Sequence, residues 1–202
     1  MNFAEPASYV DEYLRLEALA SEPYSAFVYE SAQEARTIAR FCFDAGVGEC
    51  VPPHGRVVIG EDGAVLGVIA FLDGADLKTA RTSAAMCLLR GAKIDPDGPV
   101  RERMWLASET LLDVDPDDLY LSRIAVAEAS RGRGIASWLM NAYEQSARAA
   151  AKRRLVLEVS PRHVDAIALY SRCGFELTRA VEAYDPSSHR TLSYRHMVKP
   201  IG

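Results

Sequence analysis

Between residues 119 and 160 the chain runs from an apolar stretch, LYLSRIAV, through a loop, SRGRGIA, into a helical pattern and out into a second apolar stretch, RLVLEVS. Both apolar stretches read as strands, and Ile135, Trp138, Leu139, Ala142 and Tyr143 fall on one stripe of the helix between them. Two neighbouring strands joined through a helix lie parallel, because the helix carries the chain back to the end of the sheet where it started. Such crossovers are right-handed in nearly all proteins. This unit commits the chain to an α/β fold, and every other segment has to be fitted around it.

The flanking segments predict antiparallel neighbours. RVVIGEDGAVLGVIAFLDG, 56–74, is two β-rich runs around EDG, the sequence form of a tight hairpin. The tail, FELTRAVEAYDPSSHRTLSYRHMVK, reads as two more strands around DPSSHR. Upstream, AFVYE at 26–30 is expected to be a first strand, followed by a helix through Ala35, Ile38, Ala39 and Cys42 that Ser31 and Glu34 open with capping-box spacing. A helix from Val164 to Cys173 carries Ala166, Leu169 and Tyr170 on one stripe, with Gly174 suited to its C-terminal cap. The expected fold is therefore α/β, with a mixed, largely antiparallel central sheet and flanking helices.

Two segments stand outside that sheet. Residues 1–22 read as an N-terminal helical arm, with Val10, Tyr13, Leu14 and Leu16 to Leu19 supplying its apolar side. Residues 75–118 read as a helical insertion of two patterns, LKTARTSAAMCLLRGA and VRERMWLASETLLDV, separated by the turn KIDPDGP. Its apolar stripes, including Met86, Leu89, Met104, Leu111 and Leu112, are expected to pack, and the insertion can flank a site entrance.

With 202 residues, 49% hydrophobic and 25% charged, residues 1–202 are expected to form a single domain with one sizeable core. A net charge of −5 disfavours nucleic acid as a partner, since phosphate neutralisation needs a Lys/Arg excess. No window reaches the roughly 18 apolar residues of a membrane span, and the N-terminus has no leader pattern, so a cytoplasmic protein without a membrane partner is expected. The sequence leaves a homodimer open. Cys42, Cys50, Cys87 and Cys173 have no C-x-x-C spacing and read as reduced thiols in packing roles, with no metal site. Asp113, Asp115, Asp117 and Asp118 lack the pattern of a calcium loop and read as solvated turn residues, able to attract a cation. His54 and His189 read as surface loop histidines, placed where an acceptor could dock.

The glycine loop carries the strongest chemical signal. Gly132 and Gly134 free the backbone where the amides of a starting helix point outward unpaired, and Arg131 and Arg133 add fixed positive charge. Together with the helix dipole, this geometry suits a phosphate or pyrophosphate, although a solvated basic turn has the same sequence. A Walker A loop fails on spacing and on its lysine. A dinucleotide fingerprint aligns Gly132 and Gly134 but places Ser137 at the third small position, with Glu158 as the distant acid.

IAVAEASRGRGIASWLM, 124–140, resembles the coenzyme-A signature of the GNAT N-acetyltransferase superfamily, R/Q-x-x-G-x-G/A, at Arg131, Gly134 and Ala136. LEVSPRHVDAIALYSRCGF, 157–175, resembles the second conserved segment of that family. The resemblance implies the acyl-CoA N-acyltransferase fold, with a central strand that diverges from its neighbour and acetyl-CoA lying in the opening. It implies that backbone groups of Ile124, Ala125 and Val126 hold the pantetheine. The pyrophosphate would meet the amides of Arg131, Gly132, Arg133, Gly134, Ile135, Ala136 and Ser137.

The implied activity is direct transfer of acetyl from acetyl-CoA to a primary amine, without a covalent enzyme intermediate. Tyr170 stands at the position of the family's tyrosine, the usual proton donor to the coenzyme-A thiolate. Glu158 matches the base position of members that acetylate protein N-termini, but strand alternation sets it opposite Leu155, Leu157 and Val159, where a solvated carboxylate or an ion pair is equally expected. A water or bulk solvent can also take the amine proton. Two departures stand out: the central strand has no acid near Ser122 and Arg123, and His163 replaces the family's asparagine beside the pantetheine. They leave a non-catalytic acyl-CoA-binding or sensing module as the rival from another class. Among enzymes, a protein N-terminal acceptor would need an open groove, and a small amine a closed acidic pocket.

Overall fold

The protein is described by a computed structural model over residues 1–91, 95 and 97–202. Seven strands form one sheet: β1 (Asn2–Ala4), β2 (Gly55–Ile59), β3 (Val65–Asp73), β4 (Asp118–Val126), β5 (Arg154–Val159), β6 (Glu176–Asp185) and β7 (Arg190–Pro200). Their spatial order is β1-β2-β3-β4-β5-β7-β6, and β4 with β5 is its parallel pair, all other neighbours being antiparallel. The crossover between β4 and β5 is helix α6 (Ile135–Ala149), as the apolar stripe predicts. Helix α7 (Val164–Arg172) follows β5. The mixed, largely antiparallel sheet expected from the sequence is thus the observed one.

Strand alternation divides the core. Leu119, Leu121, Leu155 and Leu157 point to the face covered by α6 and α7, where they bury Leu139, Tyr143 and Tyr170. Tyr120 and Val156 point to the other face, beneath α4 (Gly74–Gly91). That second face also carries α1 (Val10–Ala20), whose Tyr13 and Leu16 pack on Val57 and Val68. The remaining helices there, α2 (Glu22–Val28), α3 (Ala32–Ala45) and α5 (Pro99–Ser108), bury Phe27, Val28, Ile38 and Ala107 against Leu192 of β7. The insertion is therefore helical over α4 and α5. Lys93, Ile94 and Pro96 of the expected KIDPDGP turn lie outside the described residues.

Three expectations need correction. AFVYE is not a strand: Glu22 and Pro23 open α2, which ends only at Val28, with Tyr29 extended as its cap. Proline and an acid suit a first helical turn, and burial of Phe27 and Val28 against α5 and β7 overrides the β preference of the aromatic run. The short edge strand β1 was not expected from the sequence. It pairs Asn2, Phe3 and Ala4 with Ile59, Val58 and Val57. Asp118, expected in a solvated turn, is 1% exposed and takes the Arg154 guanidinium at 2.7 Å, a buried charge neutralised by its partner. The capping signal at Ser31 holds, since its hydroxyl accepts from the Glu34 amide at 3.1 Å.

Tyr143 ties the parallel pair together. Its ring is buried beside Phe71, and its hydroxyl donates to the Leu119 carbonyl of β4 while accepting from the Val156 amide of β5 at 3.3 Å. Tyr143→Phe leaves those buried groups short of a partner and is expected to cost about 1–2 kcal/mol. Urea unfolding of the two proteins, compared at equal m-value, measures it.

Candidate active site

The parallel ladder is short. It pairs Asp118–Leu121 with Arg154–Leu157 and stops there, although β4 runs on to Val126. At the same place β4 carries an extra residue against β3: Leu121 faces Phe71 and Arg123 faces Ala70, so Ser122 has no counterpart. Such a bulge bends a strand and increases its twist, which turns the rest of β4 away from β5. Ile124, Ala125 and Val126 stay hydrogen-bonded to β3 on one edge and leave their other edge to a cleft of about 230 Å³. Arg131, Glu158, Ser160, His163 and Tyr170 line the same cleft.

At the outer end of β4 the chain passes through a short 3-10 turn, Glu128–Ser130, into the glycine loop. Gly132 and Gly134 have φ of 73° and 78°, a region that L side chains resist, and both face open space. Gly134 is the N-cap of α6 without a capping side chain, the first turn carries no acid, and the first amide bonded back to this loop is that of Trp138, at 3.0 Å from the Gly134 carbonyl. The amides ahead of it point outward with the positive end of the helix dipole, beside the exposed guanidinium groups of Arg131 and Arg133. Ile135 differs from its neighbours: its side chain is 3% exposed and belongs to the core, so only its backbone faces the loop's open side. Among the described residues, no group of three His, Cys, Asp or Glu is placed to hold a metal ion.

At the inner end the cleft meets Glu158. Alternation does set it opposite Leu157, but that face is roofed by helices, so the carboxylate is neither a plain solvated group nor one arm of an ion pair. One oxygen accepts from the Leu112 amide and the other from the Tyr120 hydroxyl at 2.8 Å. His196, its cross-strand partner on β7, donates Nε2 to the Thr110 carbonyl at 2.8 Å, so the segment after α5 is fastened to the sheet at two points. Burial raises the Glu158 carboxyl above the ordinary value of 4.5; Arg81 and the two hydrogen bonds oppose that rise, and Glu49 adds to it. A carboxyl of raised pKa beside a cleft is suited to proton transfer.

Sequence reasoning missed the groups around it. Glu49, between α3 and β2, accepts from Arg81 Nε at 2.6 Å and from the Ser122 hydroxyl at 2.8 Å. Burial alone would raise Glu49, but Arg81 and Arg123 outweigh it and hold the carboxyl below 4.5. Arg123 donates to Glu17 of α1 at 3.2 Å, and Arg81 lies over the Tyr120 ring with its guanidinium 5.3 Å from the centroid. Arg81 did leave a sequence signal, because it shares the helical stripe of Leu77 and Leu88, where a core-facing apolar residue belongs. Glu49 left none. Tyr170 is 5% exposed, its ring packs on Phe175, and burial raises its phenol, which keeps the proton on at neutral pH.

A seven-stranded mixed sheet that splays at its parallel pair, with a glycine-capped helix start beside the splay, is the fold of the acetyltransferases. The chain belongs to the acetyltransferase (GNAT) family, whose pattern it matches over residues 13–175. Among solved structures it is similar to an acetyltransferase at 20% identity and TM-score 0.60, over 100% of both chains. It is also similar to the ribosomal-protein-S18-alanine N-acetyltransferase from Escherichia coli, at 14% identity and TM-score 0.56, over 100% of this chain and 94% of that one. A third likeness is a GNAT superfamily phosphinothricin acetyltransferase from Sinorhizobium meliloti in complex with acetyl-CoA, at 16% identity and TM-score 0.53, over 100% and 88%. Comparison with curated proteins gave no match. No helix among the described residues is long and apolar enough to cross a membrane.

The two buried glutamates should titrate on opposite sides of their ordinary value. In a carboxyl-detected NMR titration, Glu158 is expected to gain its proton above pH 4.5 and Glu49 below it. The folded state holds the Glu158 proton more tightly than the unfolded chain, so that group lowers stability as pH rises through its raised pKa. Glu49 does the reverse: its contribution is present above 4.5 and is lost as pH falls through its depressed pKa.

Proposed function

We propose that the protein transfers acetyl from acetyl-CoA directly to a primary amine. The observation that carries this reading is the parting of β4 from β5, which joins free strand edge, anion loop and a proton-accepting carboxylate in one cleft. The pantetheine would pair with the open edge of Ile124, Ala125 and Val126, with His163 beside it. The pyrophosphate would sit on the amides from Arg131 to Ser137, with Arg131 and Arg133 neutralising its charge. That the Sinorhizobium meliloti structure carries acetyl-CoA in a similar fold supports this placement.

The chemistry follows from what the cleft offers. An ammonium acceptor first gives a proton to Glu158, and the neutral nitrogen attacks the thioester carbonyl. The amide of Val126 stabilises the oxyanion, the carbon–sulfur bond breaks, and Tyr170 protonates the departing thiolate. Solvent restores the Tyr170 proton and removes that on Glu158. Direct transfer is favoured because the neighbouring thiols are poor nucleophiles: burial pushes Cys50 up to about 12 and Cys42 up to about 11, so both stay protonated. The missing central-strand acid, which favoured a pure binding module, has a substitute in Glu158, one strand over.

The first test is the melting temperature with acetyl-CoA, coenzyme A, NAD and ATP in parallel. A native-state ligand at about 100 times its Kd adds about 2.7 kcal/mol, and a selective rise with the two coenzyme-A species is expected. A rise with NAD alone would mean that the loop holds a dinucleotide. Tyr170→Phe is expected to lower turnover by about 100-fold while the shift with acetyl-CoA is kept. Unchanged turnover would remove the phenol from the reaction.

A further inference from the structure

Glu158 also borders a second, larger cavity of about 1280 Å³ between the sheet and α1–α5. That volume exceeds the roughly 300–1,000 Å³ of ordinary small-molecule sites, so it can take an acceptor well beyond the size of a simple polyamine. Its walls are mostly apolar, with Leu14, Ile38, Phe43, Leu88 and Met104 facing inward, and its mouth is flanked by Leu89 and Trp105, which are 43% and 62% exposed. An exposed tryptophan at the rim of an apolar cavity extends the surface that an apolar ligand can cover.

The polar end of this cavity is small and its bonds can be traced. Arg123 is committed to Glu17 and to the Ser122 carbonyl, and Arg81 Nε is committed to Glu49. Arg81 Nη2 is buried, with less than 1 Å² accessible, so no ligand oxygen can sit against it from this cavity. Glu158 has two hydrogen bonds and, among the described residues, no ion pair. The Glu158 carboxylate, which receives the Tyr120 hydroxyl beneath the Arg81 guanidinium, is therefore the group at this end that a ligand can still pair with.

Charge decides what that carboxylate receives. With Glu158 ionised, the carboxylates of Glu17, Glu49 and Glu158 face the guanidinium groups of Arg81 and Arg123, one negative charge in excess, and the rest of the lining carries as many acids as arginines. An incoming ammonium cancels that excess. A carboxylate beside that nitrogen would restore the excess in a buried place, which is costly.

Resting on the amine-acetylation reading, we propose that the acceptor is an amphipathic primary amine with a large apolar body and no carboxylate beside the nitrogen. The amine would meet Glu158 at the junction of the two cavities, and the apolar body would extend toward Trp105.

Four probes test it with the full chain and acetyl-CoA: phenylalaninamide, phenylalanine, 2-phenylethylamine and glycinamide. Thiol release is read as kcat/KM per neutral amine, and binding to the protein with coenzyme A is read by calorimetry. Phenylalaninamide and 2-phenylethylamine are expected to lead both series, about 10-fold over phenylalanine, and the amide about 30-fold over glycinamide. In Trp105→Ser, at the exposed rim, the lead of phenylalaninamide over glycinamide is expected to fall about 3-fold while glycinamide itself is unchanged. A retained melting shift with acetyl-CoA shows that this variant is folded. Equal values for phenylalaninamide and glycinamide in the unaltered protein, a lead for phenylalanine or glycinamide, or no binding of any probe would overturn the proposal. Ordered binding without thiol release would leave the acceptor pocket standing and overturn acetyl transfer instead.

Discussion

The structure turns on where two parallel strands stop touching. Had the ladder between β4 and β5 continued past Leu121 and Leu157, the edge of Ile124–Val126 would be satisfied by β5 and the cleft would not exist. The extra residue Ser122 ends it, and Tyr143 bolts the strands together just before they part. A rigid hinge line of this kind holds an opening without any loop having to be ordered. The same bulge residue gives its hydroxyl to Glu49, so the geometry of the opening and the buried charges beside it are fixed by one side chain.

Those buried charges are arranged as two satisfied pairs and one exception. Arg81 with Glu49 and Arg123 with Glu17 each neutralise a group that could not stay charged alone in such a place. Glu158 is held instead by neutral donors, Tyr120 and the Leu112 amide, which oppose but do not cancel the rise that burial gives its affinity for a proton. Like carboxylates in one site are driven apart by their partners: the one facing guanidinium becomes a permanent anion and the one facing dipoles becomes exchangeable.

Much of this was legible in the sequence where a pattern was local. The strand–loop–helix–strand unit, the two hairpins, α6, α7 and the capping of α3 all follow from periodicity and turn chemistry. AFVYE misled because its aromatic residues are buried by helix packing, which propensity does not see. Asp118 read as solvated because its partner, Arg154, is 36 residues away along the chain. Among site residues, the structure gathers Ile124, Ala125, Val126, Arg131, His163, Tyr170 and Glu158 around one cleft, all from the segment whose spacing carried the motif. Glu17, Glu49 and Arg81 come from α1, a loop and α4, and only the fold brings them to β4. Arg81 alone betrayed itself, as a charge on an apolar stripe.

The two cavities draw on different stretches of the chain. The loop and most of the smaller cleft are built from residues 120–170, with Leu19, Ala20, Ser21, Pro23 and Tyr194 closing it, whereas the walls of the larger cavity come from residues 11–111, with the sheet as a common floor. Descendants of such a gene could therefore exchange side chains on α1–α5 freely and acquire new substrates, while the cofactor half stayed under unbroken selection. The N-terminal half is the part of the molecule that history can rewrite.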